Sequence, residues 1–255
     1  VLMRATERRK YLLEKLKTKK RISVVEMAAE LGVSGMSIRR DLHSMESQSI
    51  ITLVHGGAVY NEGAIAEPSA MVRYRSMWDE KNNIGNYCAG LVHEGNSVFL
   101  DAGSTNMKIA EALVNRQNIA VMTHSLPIMN ILSQAKGIQL FSLSGIYDAT
   151  KQAFFGEMTR QQIQRFHIDI TFLGVNAIDV EDGLMMPELP DIAIKQALLE
   201  RSYKTIVVTD HTKIGKKSFI RLCDVSDIQQ IVVDKEANED FVKKLQRKGV
   251  EVTLV

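Results

Sequence analysis

Ser34-Gly35-Met36-Ser37-Ile38-Arg39-Arg40-Asp41-Leu42 predicts a helix with one apolar face and one cationic face. At 100° per residue, Ile38, Leu42 and Met45 share the side expected to pack on a core. The opposite side carries Met36, Arg40, His43 and Ser47, and the flanks carry Ser37 and Arg39. A helix that packs on one face and presents arginine on the other is typical of a helix that reads a DNA groove.

The residues before this stretch complete a helix-turn-helix pattern. Residues 4–20 predict a first helix with an apolar stripe. Ser23 and Glu26 have the spacing of a capping box, which begins a second helix that ends at Gly32 in the left-handed conformation. Ser34 then caps the third helix. Two helices joined by a short turn with glycine make the helix-turn-helix motif.

A β-hairpin follows the third helix. Residues 50–54 and 58–60 are strand-like and flank His55-Gly56-Gly57, whose glycines suit the turn. A hairpin directly after a helix-turn-helix makes a wing. Residues 61–77 show no clear period and predict a linker. We therefore assign residues 1–60 to a winged helix-turn-helix domain.

Two kinds of contact with double-stranded DNA are predicted for this domain. Arg40 points away from the core, so we expect its guanidinium to pair with guanine O6 and N7. Phosphate contacts are expected from Arg39, Lys19 and Lys20. The other candidates lie in the first turn, on the polar side of the helix or in the wing, and are Ser34, Met36, Ser37, His43 and His55. The alternative is a three-helix bundle that only packs.

The charge distribution favours a nucleic-acid partner for the N-terminal part. Residues 1–57 hold 11 Lys and Arg against 6 Asp and Glu, whereas residues 58–255 hold 21 against 24. The longest apolar runs are too short to span a bilayer. Cys88 and Cys223 are isolated, no secretory signal is recognisable, and the six histidines lack ligand spacing. We therefore expect a cytoplasmic protein with no membrane span, metal or cofactor.

From Trp78 onward, short apolar strands alternate with amphipathic helices. This alternation predicts an α/β domain over residues 78–255, with a mostly parallel, Rossmann-like sheet covered on both faces. The predicted strands are 97–100, 119–122, 138–143, 168–175, 204–209, 228–233 and 250–254. The predicted helices are about 79–93, 105–115, 125–134, 157–165, 189–201 and 238–247.

Polar residues follow several of these strands, where ligands bind in open parallel sheets. The stretch Asp101 to Thr105 ends a strand and opens a helix, so its amides and hydroxyls suit a phosphate. Asp179 and Asp210 are candidates to accept sugar hydroxyls, and Lys213 is a candidate partner for phosphate. The alternative at each position is an ordinary turn cap or a solvated lysine.

Val33 to Leu42, followed by Val54-His55-Gly56-Gly57-Ala58, resembles the DNA-binding signature of DeoR-type bacterial transcriptional regulators. The C-terminal part is similar to that family's sugar-phosphate-sensing domain, which shares its fold with ribose-5-phosphate isomerase. The matching stretches are Leu100 to Thr105, Thr123 to Pro127, Leu173 to Asp179 and Asp210 to Gly215.

The resemblance and the strand-end placement together predict an effector site. Its candidate residues are Asp101, Gly103, Ser104, Thr105, Thr123, His124, Ser125, Gly145, Asn176, Asp179, Lys195, Asp210 and Lys213. For Lys195, the alternative is an ion pair with Asp191, four residues earlier on a helix.

Several positions depart from the family pattern. Ser144-Gly145 and Asp148 stand where the family has a Gly-Gly pair followed by Arg, so the usual anion contact is in question. Asp191 replaces Glu, Ala177 replaces Gly, and His124 replaces Asn.

The sequence thus predicts a repressor of a carbohydrate operon. It is expected to bind double-stranded operator DNA and a phosphorylated sugar or polyol. A homo-oligomer, a dimer or tetramer, is expected because paired recognition helices must reach neighbouring half-sites. The alternative is an isomerase-like enzyme, in which Asp101, Asp179, Lys195 and Asp210 are able to do acid–base work. RNA binding is disfavoured, because no exposed aromatic platform is evident.

Overall fold

The computed structural model describes residues 4–46, 51–54, 56–60, 73–74 and 77–255. Ser47, His55 and most of the predicted linker lie outside these residues. Contacts within the chain divide it into two units, Val1–Val72 and Arg73–Val255.

The first unit, in its described residues, combines helices with a small antiparallel sheet. Its helices are α1 (Ala5–Lys19), α2 (Val24–Leu31) and α3 (Gly35–Glu46), and its strands are β1 (Arg21–Ser23), β2 (Ile51–Val54) and β3 (Gly57–Tyr60). The strand order is β1-β3-β2, with β2 and β3 forming the expected hairpin. The predicted winged helix-turn-helix is confirmed, and β1 is an additional strand.

The apolar side of α3 forms the core of this unit. Ile38 and Leu42 are fully buried, and they share one apolar cluster with Leu12 and Leu16 of α1. Burying each such side chain stabilises the fold by about 1.5–3 kcal/mol. The assignment of the packed face of α3 from its spacing is therefore correct.

The start of α2 differs from the predicted capping box. Ser23 is the N-cap residue, but its side chain makes no capping hydrogen bond. Instead, the N–H of Val24 donates to the carbonyl of Gly56 at 2.8 Å. The prediction was wrong because Ser23 ends β1, so the hairpin supplies the acceptor. Gly57 fits there because a Cβ would lie 2.0 Å from the carbonyl oxygen of Ile22.

The second unit alternates strands and helices along the chain. Its strands are β4 (Ser97–Leu100), β5 (Ile119–Thr123), β6 (Ile138–Ser142), β7 (Ile146–Asp148), β8 (Ala153–Phe155), β9 (Ile168–Gly174), β10 (Ala177–Asp179), β11 (Gly183–Met186), β12 (Ser202–Thr209), β13 (Ile220–Cys223), β14 (Gln230–Val233) and β15 (Glu251–Leu254). Its helices are α4 (Trp78–Gly90), α5 (Ser104–Leu113), α6 (Leu126–Leu132), α7 (Glu157–Ile163), α8 (Leu189–Arg201) and α9 (Glu239–Arg247).

A parallel sheet with the order β15-β14-β12-β9-β4-β5-β6 forms the centre of this unit. Phe99 and Leu173 contribute to the apolar cluster on one face, and Val98, Leu100 and Phe172 to the cluster on the other. The predicted parallel sheet with two covered faces is confirmed. Because the strands are parallel, β4, β5, β9 and β12 end at one edge.

Two smaller antiparallel sheets were not predicted. One is the hairpin of β7 and β8, and the other has the order β10-β11-β13. Their strands are only three or four residues long, too short to show a period in the sequence.

Candidate DNA interface and effector site

The polar side of α3 is open to solvent, as predicted. Arg39, Arg40 and His43 are exposed, and the side chain of Met36 is 63% exposed. Neither Arg39 nor Arg40 has a hydrogen-bond or ion-pair partner among the described residues. Two guanidinium groups are therefore available to an external partner.

The first turn of α3 is held by serine hydroxyls. The Oγ of Ser34 accepts a hydrogen bond from the N–H of Ser37 at 3.2 Å, which confirms the predicted cap. The two hydroxyl oxygens lie 3.0 Å apart. Gly32, with φ of 61°, ends α2 in the left-handed conformation that its sequence position predicts.

Buried ionic contacts attach α3 to α1. Asp41 is only 5% exposed, and its carboxylate accepts from the Nε of Arg8 at 2.5 Å. The Nη1 of Arg9 donates to the Oγ of Ser44 at 3.0 Å. These arginines fix the orientation of α3 against α1. No local pattern predicted the pairs, because more than 30 residues separate the partners.

Two lysines at the end of α1 are exposed where phosphate contacts were predicted. Lys19 is the last residue of the helix, and Lys20 follows with a φ of 65°. The Nζ of Lys20 lies 5.8 Å from the ring centre of Tyr60 in β3. Lys20 thus lies beside the hairpin. His55 lies outside the described residues.

In the second unit, Asp101 connects several predicted site residues. Its Oδ1 accepts from the N–H of Ala102 at 2.8 Å and lies 3.1 Å from the Nε2 of His124. Its Oδ2 accepts from the N–H of Gly174 at 2.9 Å and from the Nζ of Lys195. Burial alone would raise the pKa of Asp101, but the charge of Lys195 and the contact with His124 hold it well below its usual range.

His124 links this carboxylate to the hairpin of β7 and β8. Its Nδ1 lies 2.9 Å from the carbonyl oxygen of Phe154, which only accepts hydrogen bonds, so Nδ1 carries a proton. The ring also packs edge-on against Phe155, with ring centres 5.2 Å apart. His124, which stands where the family has Asn, is thus held by contacts with the hairpin of β7 and β8.

The first turn of α5 follows directly after Asp101. Gly103 precedes the helix with a φ of 154°, and the space that a Cβ would occupy there is open. Ser104 and Thr105 are buried, with exposed fractions of 7% and 8%. Asn106 is 1% exposed, and its Oδ1 has no hydrogen-bond partner among the described residues. The helix N-terminus therefore presents amides, hydroxyls and one unpaired acceptor.

Other predicted site residues already make hydrogen bonds or close packing contacts within the second unit. The Oγ1 of Thr123 donates to the carbonyl of Leu100 at 2.7 Å and accepts from the N–H of Ser125 at 3.1 Å. Gly145 allows close packing, since a Cβ would lie 2.1 Å from the Oγ1 of Thr159. These contacts explain the residue types without a ligand.

The residues after β9 differ in how the fold uses them. Asn176 is half-buried between β9 and β10. The Oδ1 of Asp179 accepts from the N–H groups of Asp182 and Glu181 at 3.0 and 2.9 Å. These backbone hydrogen bonds lower the pKa of Asp179, so its carboxylate caps a turn, the alternative weighed from the sequence.

Asp210 and Lys81 of α4 are buried charged residues, and the partly buried Lys213 lies near them. Asp210 accepts from the N–H of Thr212 at 3.1 Å, and its Oδ2 lies 3.9 Å from the Nζ of Lys81. Burial lowers the pKa of Lys81 to about 8; Asp210 opposes this shift, whereas Lys213 and Arg73 add to it. Together, the positive charges of Lys81, Lys213 and Arg73 favour an anion in this region.

The ion pair between Lys195 and Asp191, offered as the alternative for Lys195, is wrong. Lys195 pairs with Asp101, while Asp191 binds the Nζ of Lys151, which also lies 2.9 Å from the Oε2 of Glu188. Both α8 residues are buried, and each finds its opposite charge on another element instead of along the helix.

Asp148, at the position of the family's Arg, has a structural role. Its Oδ1 accepts from the N–H groups of Thr150 and Lys151 at 2.8 and 2.9 Å. It therefore closes the turn of the hairpin, and the cation nearest to it along the chain, Lys151, is already matched by carboxylates.

A lysine that sequence reasoning missed joins α5 to the first residues of this unit. Lys108 is 3% exposed, and its Nζ lies 3.1 Å from the ring centre of Trp78 and 3.2 Å from the hydroxyl of Tyr74. The same Nζ donates to Glu111 at 2.8 Å. A lone lysine on a helix carries no sequence motif, so only the fold identifies this contact.

Two classes of site find no support in the part of the chain that the structure describes. It contains no group of three His, Cys, Asp or Glu side chains able to hold a metal ion. None of its helices is long and apolar enough to cross a membrane.

Comparison with known families covers both units. Residues 8–64 match the DeoR-like helix-turn-helix domain, and residues 76–235 match the DeoR C terminal sensor domain. The chain is 30% identical over 246 residues to the HTH-type transcriptional repressor GlcR of Bacillus subtilis (strain 168), covering 96% of this chain and 95% of that protein. It is 27% identical over 232 residues to the glycerol-3-phosphate regulon repressor of Escherichia coli (strain K12), covering 91% and 92%.

Among solved structures, ribose 5-phosphate isomerase A of Methanocaldococcus jannaschii is similar, with a TM-score of 0.41 and 19% sequence identity. The match covers 55% of this chain and 55% of that one, so the chain spans about half of that enzyme's length.

Proposed function

The chain belongs to the DeoR family of transcriptional regulators, and we propose that it is a repressor whose affinity for operator DNA is controlled by a phosphorylated sugar or polyol. It is a DNA-binding regulator and not an isomerase, because the family and the relatives are transcriptional regulators. The observation that carries the DNA-binding role is the exposed pair Arg39 and Arg40 on a helix whose other face is the core.

Arg40 is proposed to read a base, and Arg39, Lys19 and Lys20 to contact phosphates. Selection of duplexes from a random library by the purified chain tests this role. A shared, palindromic sequence is the expected result, because a homo-oligomer places two recognition helices on neighbouring half-sites. Recovery of unrelated sequences would contradict it. As a regulator of DNA, the protein is proposed to act in the cytoplasm.

Replacing Lys20 by Ala should change the salt dependence of DNA binding. Loss of one phosphate contact reduces the slope of log affinity against log salt by about one unit per protomer, on operator and random DNA alike. Binding titrations at several salt concentrations measure this slope. Lys235→Ala is a matched control, because Lys235 is an exposed lysine of the other unit. An unchanged slope for Lys20→Ala would show that this lysine touches no phosphate.

The edge where β4, β9 and β12 end is the proposed effector site. The amides and hydroxyls of Ser104 and Thr105 at the start of α5 suit a phosphate group. Lys213 adds positive charge near Lys81, whose Nζ lies 3.9 Å from the Oδ2 of Asp210. A thermal-shift screen of phosphorylated sugars and polyols tests the site, since a ligand that binds the folded protein raises its melting temperature. A screen in which none raises it would reject this effector class.

Helix α5 is the proposed route from the effector to the DNA-binding unit. Its first turn, from Ser104, borders the proposed site, and Lys108, one turn later, holds Tyr74 and Trp78. Those residues lie at the start of the second unit, where the chain arrives from the DNA-binding unit. A ligand that binds one arrangement of α5 more tightly shifts the chain toward it.

Lys108→Met should weaken this coupling while both binding activities remain. Methionine keeps the length of the side chain but removes the charge held by Tyr74, Trp78 and Glu111. Coupling in regulators is typically about 5- to 150-fold, and we expect the variant's factor to approach one. Operator titrations with and without the effector found by the screen measure it. Lys235→Met should keep the wild-type factor; a full response in Lys108→Met would contradict the route.

A further inference from the structure

We infer that Asn106 makes the effector site selective for a hydroxyl group, by accepting a hydrogen bond from a ligand hydroxyl beside Asp101. The inference rests on the proposed effector function and adds a residue that determines specificity. It concerns the part of the ligand that is not phosphate.

The first observation is an unpaired buried acceptor. Asn106 is 1% exposed, and its Oδ1 is without a hydrogen-bond partner among the described residues. A buried polar atom without a partner loses its hydrogen bonds to water and gains nothing in return. Such atoms are rare in folded proteins, and a donor from outside the chain is one explanation for them.

The second observation is the position of the amide. A Cβ placed on Gly174 would lie 3.8 Å from the Nδ2 of Asn106 and 3.4 Å from the Oδ2 of Asp101. The amide group of Asn106 therefore lies near the edge where β4 and β9 end, with its nitrogen close to Gly174, whose N–H binds Asp101.

The third observation is that both oxygens of Asp101 already have partners within the fold. The N–H groups of Ala102 and Gly174 and the ammonium of Lys195 donate to them, and the Nε2 of His124 lies 3.1 Å from Oδ1. A hydroxyl arriving here must find another acceptor, and Asn106 provides one. The ammonium of Lys195 has one hydrogen-bond partner among the described residues, which leaves further N–H groups to donate.

These groups suit a hydroxyl better than a phosphate. A hydroxyl donates to the Oδ1 of Asn106 and is able to accept from Lys195. The oxygens of an ionised phosphate only accept, so they would meet Oδ1 with like partial charge. The phosphate of the ligand is thus left to the amides and hydroxyls of Ser104 and Thr105, and a sugar or polyol carbon chain joins the two ends.

Asn106→Leu tests the inference, because leucine has a similar shape and no polar atom. Without ligand, its melting temperature should rise by about 2–4 °C, since the unpaired acceptor is gone. With glycerol 3-phosphate and ribose 5-phosphate as probes, the variant should lose at least about tenfold in affinity. With inorganic phosphate alone, it should match the wild type. Asn130→Leu, on the exposed side of α6, is the control.

Three results would overturn the inference. One is a lower melting temperature of ligand-free Asn106→Leu and also of Asn106→Ala, which would show that the amide already has a stabilising partner. Another is unchanged binding of both glycerol 3-phosphate and ribose 5-phosphate. The third is an equal loss for inorganic phosphate, which would make Asn106 a phosphate contact. If no probe raises the melting temperature of the wild type, the proposed function fails, and this inference fails with it.

Discussion

Asp101→Ala is expected to lower the free energy of unfolding of the second unit by about 3–5 kcal/mol, as removal of one partner from a buried ion pair does. The change leaves the buried ammonium of Lys195 and the N–H of Gly174 without their acceptor. Globular units are stable by only about 5–15 kcal/mol, so the loss is a large fraction of the total. Urea unfolding followed by fluorescence measures it, because the chain's single tryptophan, Trp78, lies in this unit.

Two further variants distinguish the cost of leaving a buried charge unpaired from a nonspecific loss of stability. Asp101→Ala combined with Lys195→Met should recover part of the stability, since the unpaired charge is removed as well. Asp240→Ala, an exposed carboxylate at the start of α9, should stay within about 0.5 kcal/mol of the wild type. Similar losses for Asp101→Ala and Asp240→Ala would contradict the role assigned to Asp101.

The same carboxylate makes stability depend on pH. The pKa of Asp101 lies lower in the folded chain than the value of 3.8 expected without the fold. Its contribution is therefore fully present above that value and disappears as the pH falls toward the folded pKa. The stability difference between wild type and Asp101→Ala should shrink in strong acid. A difference that grows on acidification would show the opposite sign.

Arg40→Ala is expected to weaken operator binding by about 1–3 kcal/mol for each recognition helix and to relax the preference at one base pair. The reason is the loss of a guanidinium that faces away from the core and has no partner among the described residues. Titrations against the operator, its single-base variants and random DNA measure both effects. Because the residue is exposed, the free energy of unfolding should change by no more than about 0.5 kcal/mol.

Arg39→Ala is the matched comparison for Arg40→Ala. Arg39 lies on the flank of α3 and is assigned to a phosphate, so its loss should weaken operator and random DNA to a similar extent. If Arg40→Ala also weakens random DNA as much as the operator, Arg40 contacts no base. If Arg39→Ala is the variant that relaxes the base preference, the two assignments are exchanged.

The spacing of apolar residues was sufficient to predict the helices and strands that bury a regular apolar face. The spacing of Ile38, Leu42 and Met45 predicted the buried face of α3, and the apolar runs predicted the parallel strands of the second unit. The strands of the two small antiparallel sheets were not predicted, because three or four residues are too few to show an alternation of apolar and polar residues. Ser23 was misread because the acceptor for α2 comes from a hairpin more than 30 residues later.

The candidate effector site was predictable only in outline. Strand ends pointed to Asp101, Ser104, Thr105 and Asp210, because turns after parallel strands meet at one edge. Which of these groups remain available to a ligand depends on partners distant in sequence. Lys195 pairs with a residue 94 positions away, and only the fold reveals that pairing.

The strand order of the second unit also determines when each part of the protein can form during translation. Val98 in β4 pairs with Ile170 in β9. The middle of the sheet is therefore unable to form until β9, about 70 residues after β4, has been synthesised. Among the described residues, the apolar core of the first unit is formed by residues up to Tyr60. Domains generally fold from the N-terminus during synthesis, and long-range parallel pairing is slow. The described part of the DNA-binding unit is therefore able to fold before the second unit has been synthesised, and a chain that terminates early lacks the unit proposed to bind the effector.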